Sequence, residues 1–136
     1  MRKAHGVLPV ANWINPIEKA LDRAEKSHQF FFRDDDAGWE NDKLFALLDV
    51  FAQGSTPIDL AIIPNSVTAE LTDGLLSRWR QDHSLLGLHQ HGYSHTNHEV
   101  EGRKCEFGNA RTKRQQQEDL TAGKSILKTQ FGEALD

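Results

Sequence analysis

Residues 85–98 read LLGLHQHGYSHTNH, an apolar run that leads into a cluster of histidines. Leucines occupy the first half, and Gly92 interrupts the pattern directly after the second histidine. This order is typical of a buried strand that ends in a loop, with imidazoles gathered at its carboxyl end. Four of the seven histidines of the chain lie in this stretch: His89, His91, His95 and His98. Because neutral imidazole is the commonest protein metal ligand, the stretch predicts a metal site that uses at least two of them.

Two apolar runs further upstream have the length and composition of buried strands. Residues 29–33 contain three successive phenylalanines and lead into three successive aspartates at positions 34–36. Residues 57–64 form a second apolar run between two prolines. Apolar residues without alternation are typical of strands covered on both faces, as in a parallel sheet. The third strand is expected to run from Leu85 to about Gln90.

Segments with apolar residues at helical spacing separate these strands. The expected helices cover residues 15–26, 41–54, 66–82 and 112–132, after an irregular segment at residues 1–14. Asn15 is the expected cap of the first helix, and either Asn41 or Asp42 caps the second. A capping box of Thr112 with Gln115 is expected to open the last helix.

One helix followed by three strand–helix units predicts an α/β fold with a parallel sheet and right-handed crossovers. Residues 1–136 contain no repeat, low-complexity tract or linker, so the sequence predicts a single domain. A closed β/α barrel would need further strands and typically about 250 residues. The sheet is therefore expected to be either small and open or the front part of a larger barrel.

Composition and charge argue against several classes of partner. The chain carries 16 Lys and Arg against 20 Asp and Glu, a formal net charge of −4, whereas nucleic-acid binders are usually basic. The single cysteine, Cys105, excludes an internal disulfide framework and a cysteine-based zinc cluster. No segment has the ~20 apolar residues of a membrane span, and the N-terminus lacks the apolar stretch of a signal peptide. We therefore expect a cytoplasmic protein that binds neither nucleic acid nor membrane, in an oligomeric state that the sequence leaves open.

The functional site of a parallel α/β fold lies at the carboxyl ends of its strands. The aspartates 34–36 follow the first predicted strand, and the histidines follow the third. Adjacent carboxylates repel one another, so this position favours a nearby cation or donor. Two histidines and one aspartate leave open positions on a divalent metal, as catalysis requires, and a second aspartate could take a proton from water. The alternative is a solvated acidic turn before the next helix, with Trp39 as a packing residue.

Two motifs resemble those of the polysaccharide deacetylase, or NodB-homology, family. Residues 32–36, which read FRDDD, resemble its first motif, an apolar strand that ends in a pair of aspartates. Residues 91–95, which read HGYSH, resemble its second motif, a histidine loop after a later strand. The likeness covers about residues 28–100. It implies an irregular parallel β/α barrel that removes acetyl groups from N-acetylated sugars or related amides with one divalent metal, usually zinc.

The resemblance also implies a role for each motif residue. His91 and His95 correspond to metal ligands. In one register Asp35 is the general base and Asp36 is the third ligand, whereas a shift by one residue makes Asp34 the base and Asp35 the ligand. We prefer the first register, which matches Arg33 to the family position two before the aspartate pair.

Three later motifs of the family have no counterpart between Cys105 and Asp136. They supply an arginine that orients the base, an aspartate, and a histidine that acts as general acid, and this part of the chain contains no histidine. We therefore expect the sequence to be the first half of the barrel, without its general acid. The expected substrate is an oligosaccharide or another small molecule.

The sequence leaves other interpretations of the histidines open. His89 and His91 resemble the His-x-His motif of the amidohydrolase superfamily, although that motif belongs on the first strand of its barrel. A second alternative is a fragment that binds metal or glycan without turnover. A third is a small α/β protein with a surface histidine patch and no physiological metal. His83 and His98 are the histidines least expected to act.

Overall fold

The computed structural model describes residues 14–136, so the irregular segment predicted before Ile14 lies outside the described residues. The chain divides into two compact units, Met1–Phe30 and Phe31–Asp136, and the single-domain expectation stays a prediction. The described part of the first unit contains one helix, α1 (Asn15–Asp22). It ends before the predicted residue 26. Asn15 is not its cap, because Ile14 occupies the N-cap position and no side chain caps the helix.

The second unit is an α/β arrangement around a three-stranded parallel sheet. The strands are β1 (Arg33–Ala37), β2 (Ile58–Ile62) and β3 (Leu86–Gln90), and the helices are α2 (Asn41–Gln53), α3 (Ala69–Gln81) and α4 (Lys113–Phe131). The strand order is β1–β2–β3, and β2 pairs in parallel with both neighbours. The predicted α/β class with a parallel sheet is therefore confirmed. Beyond β3, Leu135 forms an isolated parallel bridge to Leu88.

The core of the second unit lies between this sheet and its helices. Its fully buried side chains include members of β2, β3, α3 and α4: Leu60, Ile62, Leu71, Leu75, Leu88 and Leu127. Burial of each such side chain stabilises the fold by roughly 1.5–3 kcal/mol. All residues of β2 except Asp59 are buried, as expected of a strand covered on both faces. None of the helices described in residues 14–136 is long and apolar enough to cross a membrane.

The first strand lies several residues later than the sequence predicts. It begins at Arg33 and contains the three aspartates, whereas the prediction placed Phe30, Phe31 and Phe32 in the strand. These phenylalanines are 69%, 80% and 48% exposed, so the prediction of a covered aromatic strand is wrong. The reason is register, because the pairing of β1 with β2 begins with Arg33 opposite Asp59. Phe32 still contacts the sheet through its carbonyl, which accepts a hydrogen bond from the Asp59 N–H at 2.9 Å.

The ends of α2 and α3 differ from the predicted caps. Gly54 follows α2 as expected, but Glu40 occupies the N-cap position without a capping hydrogen bond, so neither Asn41 nor Asp42 is the cap. Helix α3 begins three residues later than predicted, because the chain first makes a 3-10 turn at Pro64–Ser66. Thr68 then caps α3, and its side chain accepts a hydrogen bond from the Leu71 N–H at 3.1 Å.

Helix α4 begins as the sequence predicts. The Thr112 hydroxyl accepts a hydrogen bond from the Gln115 N–H at 3.3 Å, and the Gln115 side chain accepts one from the Thr112 N–H at 2.9 Å. The predicted capping box is therefore confirmed. The helix continues through Gly123 without a break and ends at Phe131, with Gly132 in the C-cap position. Its position against β3 and the turn after β2 supports the edge of the sheet where the strands end.

Candidate metal centre

The ends of β1 and β3 bring three sequence-predicted residues together: Asp36, His91 and His95. One ligand atom of each lies within 4.8 Å of the others. Asp36 Oδ1 is 3.2 Å from His91 Nε2 and 3.2 Å from His95 Nε2. The two imidazole rings are stacked, with centroids 5.2 Å apart. The sequence-predicted ligand set is thus gathered at one edge of the sheet, and its metal-binding role stays a prediction.

The Asp36 carboxylate is the most informative group of this cluster. Its Oδ1 atom is buried and accepts no hydrogen bond, even though two imidazole nitrogens lie close to it. An unsatisfied buried acceptor costs about 1–3 kcal/mol. A tetrahedral zinc ion with ligand distances of about 2.0–2.1 Å holds its ligand atoms about 3.3 Å apart. The two separations of 3.2 Å between Asp36 Oδ1 and the imidazole nitrogens fit that geometry, so a divalent cation there would satisfy the orphaned oxygen.

Two of these residues hold unusual backbone conformations. Asp36 has a φ of 66° and His95 a φ of 53°, both in the left-handed region. The pairing of β1 with β2 shifts between Asp34 and Ala37, which leaves Asp36 at an irregularity of the strand. Aspartate and histidine enter this region more readily than most residues, but it still costs on the order of 1 kcal/mol or more. Such conformations concentrate at functional sites, which supports a role for this cluster.

Strand β2 contributes no member of the cluster but holds the histidine loop in place. The His91 N–H donates to the Ile62 carbonyl at 2.7 Å, and the Asn65 N–H donates to the Tyr93 carbonyl at 2.9 Å. These bonds fix the chain on both sides of Gly92, which has a φ of 54°. Hydrogen bonds between main-chain groups thus attach the loop to the neighbouring strand end.

Asp35, the predicted base, lies beside the same imidazole as Asp36 but at its other nitrogen. Its Oδ1 is 3.6 Å from His91 Nδ1. The Arg33 guanidinium donates to this oxygen at 2.8 Å from Nε and 2.6 Å from Nη2. Asp36, and not Asp35, is the aspartate between the histidines, which fits the register that makes Asp36 the ligand. The assignment of Asp35 as base stays a prediction.

Asp34, the base in the alternative register, is half-buried at the start of the acidic run. Burial raises its pKa above the usual range, and the negative charges of Asp35 and Asp36 add to this effect. A raised pKa brings a carboxylate closer to the value at which a general base works well near neutral pH. Asp34 therefore remains a candidate for the general base.

The other histidines of the second unit lie outside this cluster. His89 on β3 does not belong to it, so the His89 and His91 pair of the alternative interpretation is not gathered with an acidic ligand. His83 lies beside the Trp79 ring, with centroids 6.0 Å apart. The Nε2 atom of His98 is 3.3 Å from the Arg111 guanidinium. These two are the histidines that the sequence marks as least expected to act.

Sequence reasoning missed the position of Trp39, which it treated as a packing residue. Trp39 is 54% exposed, and its ring meets the His95 ring edge-on with centroids 4.7 Å apart. A cleft beside it is lined by residues 34–40 together with Lys43, Leu44 and Leu47. The only signal in the sequence is that a large aromatic residue follows the acidic run so closely. An exposed ring beside the cluster suits the recognition of a substrate's apolar face.

No protein-family model matches the chain, and neither a curated protein nor a solved structure is significantly similar to it. The resemblance to polysaccharide deacetylases therefore depends on the two short motifs alone. The remaining indication of function is the close grouping of Asp36, His91 and His95.

Proposed function

We propose that this protein is a metal-dependent hydrolase that removes acetyl groups from N-acetylated sugars or related amides. One observation carries the proposal: the buried, unpartnered Oδ1 of Asp36 faces two imidazole nitrogens across the ends of β1 and β3. Two imidazoles and one carboxylate would hold one divalent metal, with zinc the first choice, and leave positions open for water and substrate. When bound, such a metal lowers the pKa of water toward 7 and polarises a carbonyl group.

The residues of the cluster and its neighbours are assigned separate roles in the reaction. Asp36, His91 and His95 would hold the ion, and Asp35 would take the proton from the attacking water. Arg33 keeps the Asp35 carboxylate oriented through two hydrogen bonds to one oxygen. Asp34 is the alternative base, supported by its raised pKa. The exposed face of Trp39 borders the cleft in which a sugar ring would lie.

The sheet is proposed to belong to the irregular β/α barrel of the deacetylases, as its first strands. The sequential order β1–β2–β3 supports this proposal, because doubly wound sheets reverse their strand order. The parallel bridge of Leu135 to Leu88 continues the same sequence of pairing beyond β3. A closed barrel would need further strands after it. A cytoplasmic location and a small-molecule or oligosaccharide substrate, without nucleic acid or membrane, are part of the proposal.

Metal content provides the first test. We expect protein purified without an affinity tag to contain close to one equivalent of zinc or another divalent metal by mass spectrometry. Asp36→Asn, His91→Ala and His95→Ala should each lose it, whereas His89→Ala and His83→Ala serve as matched controls and should keep it. If His95→Ala keeps its metal while His89→Ala loses it, the amidohydrolase interpretation replaces this one.

Acetate release from a chitooligosaccharide provides the second test. A protein that binds metal at these residues and releases no acetate would instead be a metal-binding or glycan-binding domain. That candidate is motivated by the sequence of residues 106–136, which contains no histidine to match the general acid of the resembled family. Release of acetate that Asp35→Asn abolishes would exclude it and assign the base. Release that only Asp34→Asn abolishes would assign the base to the alternative register.

A further inference from the structure

We infer that Glu106 is a positioning residue that fixes the histidine loop for metal binding, an inference that rests on the proposed function. Glu106 lies in the long loop before α4, and its carboxylate reaches back to the chain between His91 and His95. Its Oε1 accepts hydrogen bonds from the Ser94 N–H at 2.7 Å and the Ser94 hydroxyl at 3.1 Å. Its Oε2 accepts one from the Tyr93 N–H at 3.2 Å. One side chain thus binds two successive peptide groups between the ligands.

The position of this carboxylate requires that Gly92 has no side chain. A Cβ atom at Gly92 would overlap Glu106 Oε2 and would lie 3.2 Å from the Phe107 ring. Gly92 also has a φ of 54°, which L side chains rarely adopt. The absence of a side chain at Gly92 therefore serves two purposes: it permits the turn, and it leaves room for the acidic group.

Glu106 is itself held in place by its neighbours in the loop. The Asn97 side chain accepts a hydrogen bond from the Cys105 N–H at 3.0 Å. The His98 N–H donates to the Cys105 carbonyl at 3.1 Å. These bonds join the segment that follows His95 to the residue immediately before Glu106. The carboxylate is consequently attached to a loop that these hydrogen bonds hold in place.

The energetic consequence follows from the strain at His95. Its φ of 53° is costly, so a loop without support would populate other conformations in which the imidazole leaves the cluster. Hydrogen bonds from main-chain N–H groups to an ionised carboxylate are stronger than those between neutral groups. Glu106 fixes the peptide planes of Tyr93 and Ser94, and through them the direction in which His95 projects. The main-chain bond from Asn65 to the Tyr93 carbonyl fixes the same peptide region from the side of β2.

The test compares Glu106→Gln with Glu99→Gln, a matched control in the same loop. The Glu99 carboxylate accepts a hydrogen bond from the Ala110 N–H at 3.0 Å and makes none to residues 91–95. Cobalt(II) is the probe, because its visible absorption reports both affinity and ligand geometry. Removal of a group that orients metal ligands weakens binding by roughly 10–100-fold, and Glu106→Gln should fall in this range with an altered spectrum. Glu99→Gln should match the wild-type protein in both.

The outcomes separate this inference from the proposed function. Cobalt binding by Glu106→Gln with wild-type affinity and spectrum would overturn the role of Glu106 and leave the metal site intact. If the wild-type protein binds neither cobalt nor zinc at the histidines, the proposed function fails and the role of Glu106 fails with it. Circular dichroism verifies that each variant is folded. If Glu106→Gln is not, Glu106→Asp, which keeps the charge on a shorter side chain, takes its place with the same expected weakening.

Discussion

At the scale of single residues, Asp36 and His95 both have an unfavourable backbone conformation, and Asp36 also has an unsatisfied buried oxygen. Both have positive φ values, and Asp36 Oδ1 is buried without a hydrogen bond. Neither feature stabilises the metal-free protein, so their coincidence at one cluster favours a ligand that offsets the cost. The sequence predicts which residue types gather here, because two strand ends carry them. It does not predict the strand irregularity that brings Asp36 between the histidines, since that depends on pairing with β2.

Two substitutions of His95 distinguish the cost of its backbone conformation from the effect of losing the imidazole. His95→Gly and His95→Ala both remove the imidazole, but only glycine accepts a φ of 53° without a steric cost. We expect metal-free His95→Gly to be more stable than His95→Ala by roughly 1 kcal/mol, as urea unfolding would measure. At a position with ordinary helical or extended backbone the order would be reversed, because glycine loses more entropy on folding. Equal stability of the two variants would show that the left-handed conformation is not maintained in solution.

The raised pKa of Asp34 predicts a pH-dependent effect on stability. When the pKa of a carboxyl group is higher in the folded state, the folded protein binds the proton more tightly. Stability is then lost as pH rises through the unfolded and folded pKa values. Asp34→Asn removes this loss, so metal-free Asp34→Asn should be more stable than wild type at pH 7, on the order of 0.5 kcal/mol for a partly exposed charge. The gain should vanish below about pH 3, where the unfolded carboxyl group is also protonated.

Asp82 provides a control, because its pKa is shifted in the opposite direction to that of Asp34. Hydrogen bonds from the Ser84 hydroxyl and N–H lower the pKa of Asp82. The stability that Asp82 contributes is present above the unfolded pKa and is lost as pH falls through the folded one. Asp82→Asn should therefore lower stability at pH 7 and have no effect at low pH. If both variants respond to pH in the same direction, the assigned shifts are wrong.

At the scale of elements, the sequence-based predictions are wrong where strand pairing determines the bounds of an element. The pattern of residues 57–64 predicts β2 correctly, because a strand buried on both faces needs little information from its neighbours. The run at Phe30, Phe31 and Phe32 has the same composition, yet it ends before the pairing of β1 with β2 begins. Local hydrophobicity thus cannot distinguish a strand from an exposed aromatic segment. The capping box at Thr112 is predicted correctly because its partners lie within one helical turn.

Close packing of α4 against the end of the sheet gives an element-scale prediction. A Cβ atom at Gly123 would lie 2.5 Å from Gln90 Nε2 and 2.8 Å from Pro64 Cγ. Gln90 Nε2 also donates to the Gly92 carbonyl at 2.6 Å, so its displacement would disturb the histidine loop. Gly123→Ala should gain about 1 kcal/mol of helix propensity but lose more to overpacking, a net destabilisation of roughly 1 kcal/mol.

Ser125→Ala is the matched control for that measurement, because Ser125 is an exposed residue of the same helix. It should stabilise the protein slightly through helix propensity alone. Both variants are compared by urea unfolding with metal removed. If Gly123→Ala proves as stable as Ser125→Ala, α4 does not pack as closely on Gln90 and Pro64 as the structure indicates.

At the scale of the whole second unit, the sequence predicts the α/β class, because alternating strands and helices admit few arrangements. It cannot determine whether the sheet closes into a barrel, since closure depends on pairing of the outer edges of β1 and β3. Within the sheet, β2 lies between β1 and β3 and pairs with both of them. A metal held by Asp36, His91 and His95 would add a direct link between the two outer strand ends.

That link predicts a stabilisation of the whole unit by metal. A ligand present at 100 times its dissociation constant stabilises the folded state by about 2.7 kcal/mol, which corresponds to a rise in Tm of roughly 10 °C for a protein of this size. We expect zinc to produce such a rise over protein treated with EDTA, measured by differential scanning calorimetry. His95→Gly should abolish the rise while remaining folded, because it removes a ligand without backbone strain, and His89→Ala should preserve it. A rise that persists in His95→Gly would mean that zinc binds elsewhere, and the proposed convergence of β1 and β3 on one ion would then be wrong.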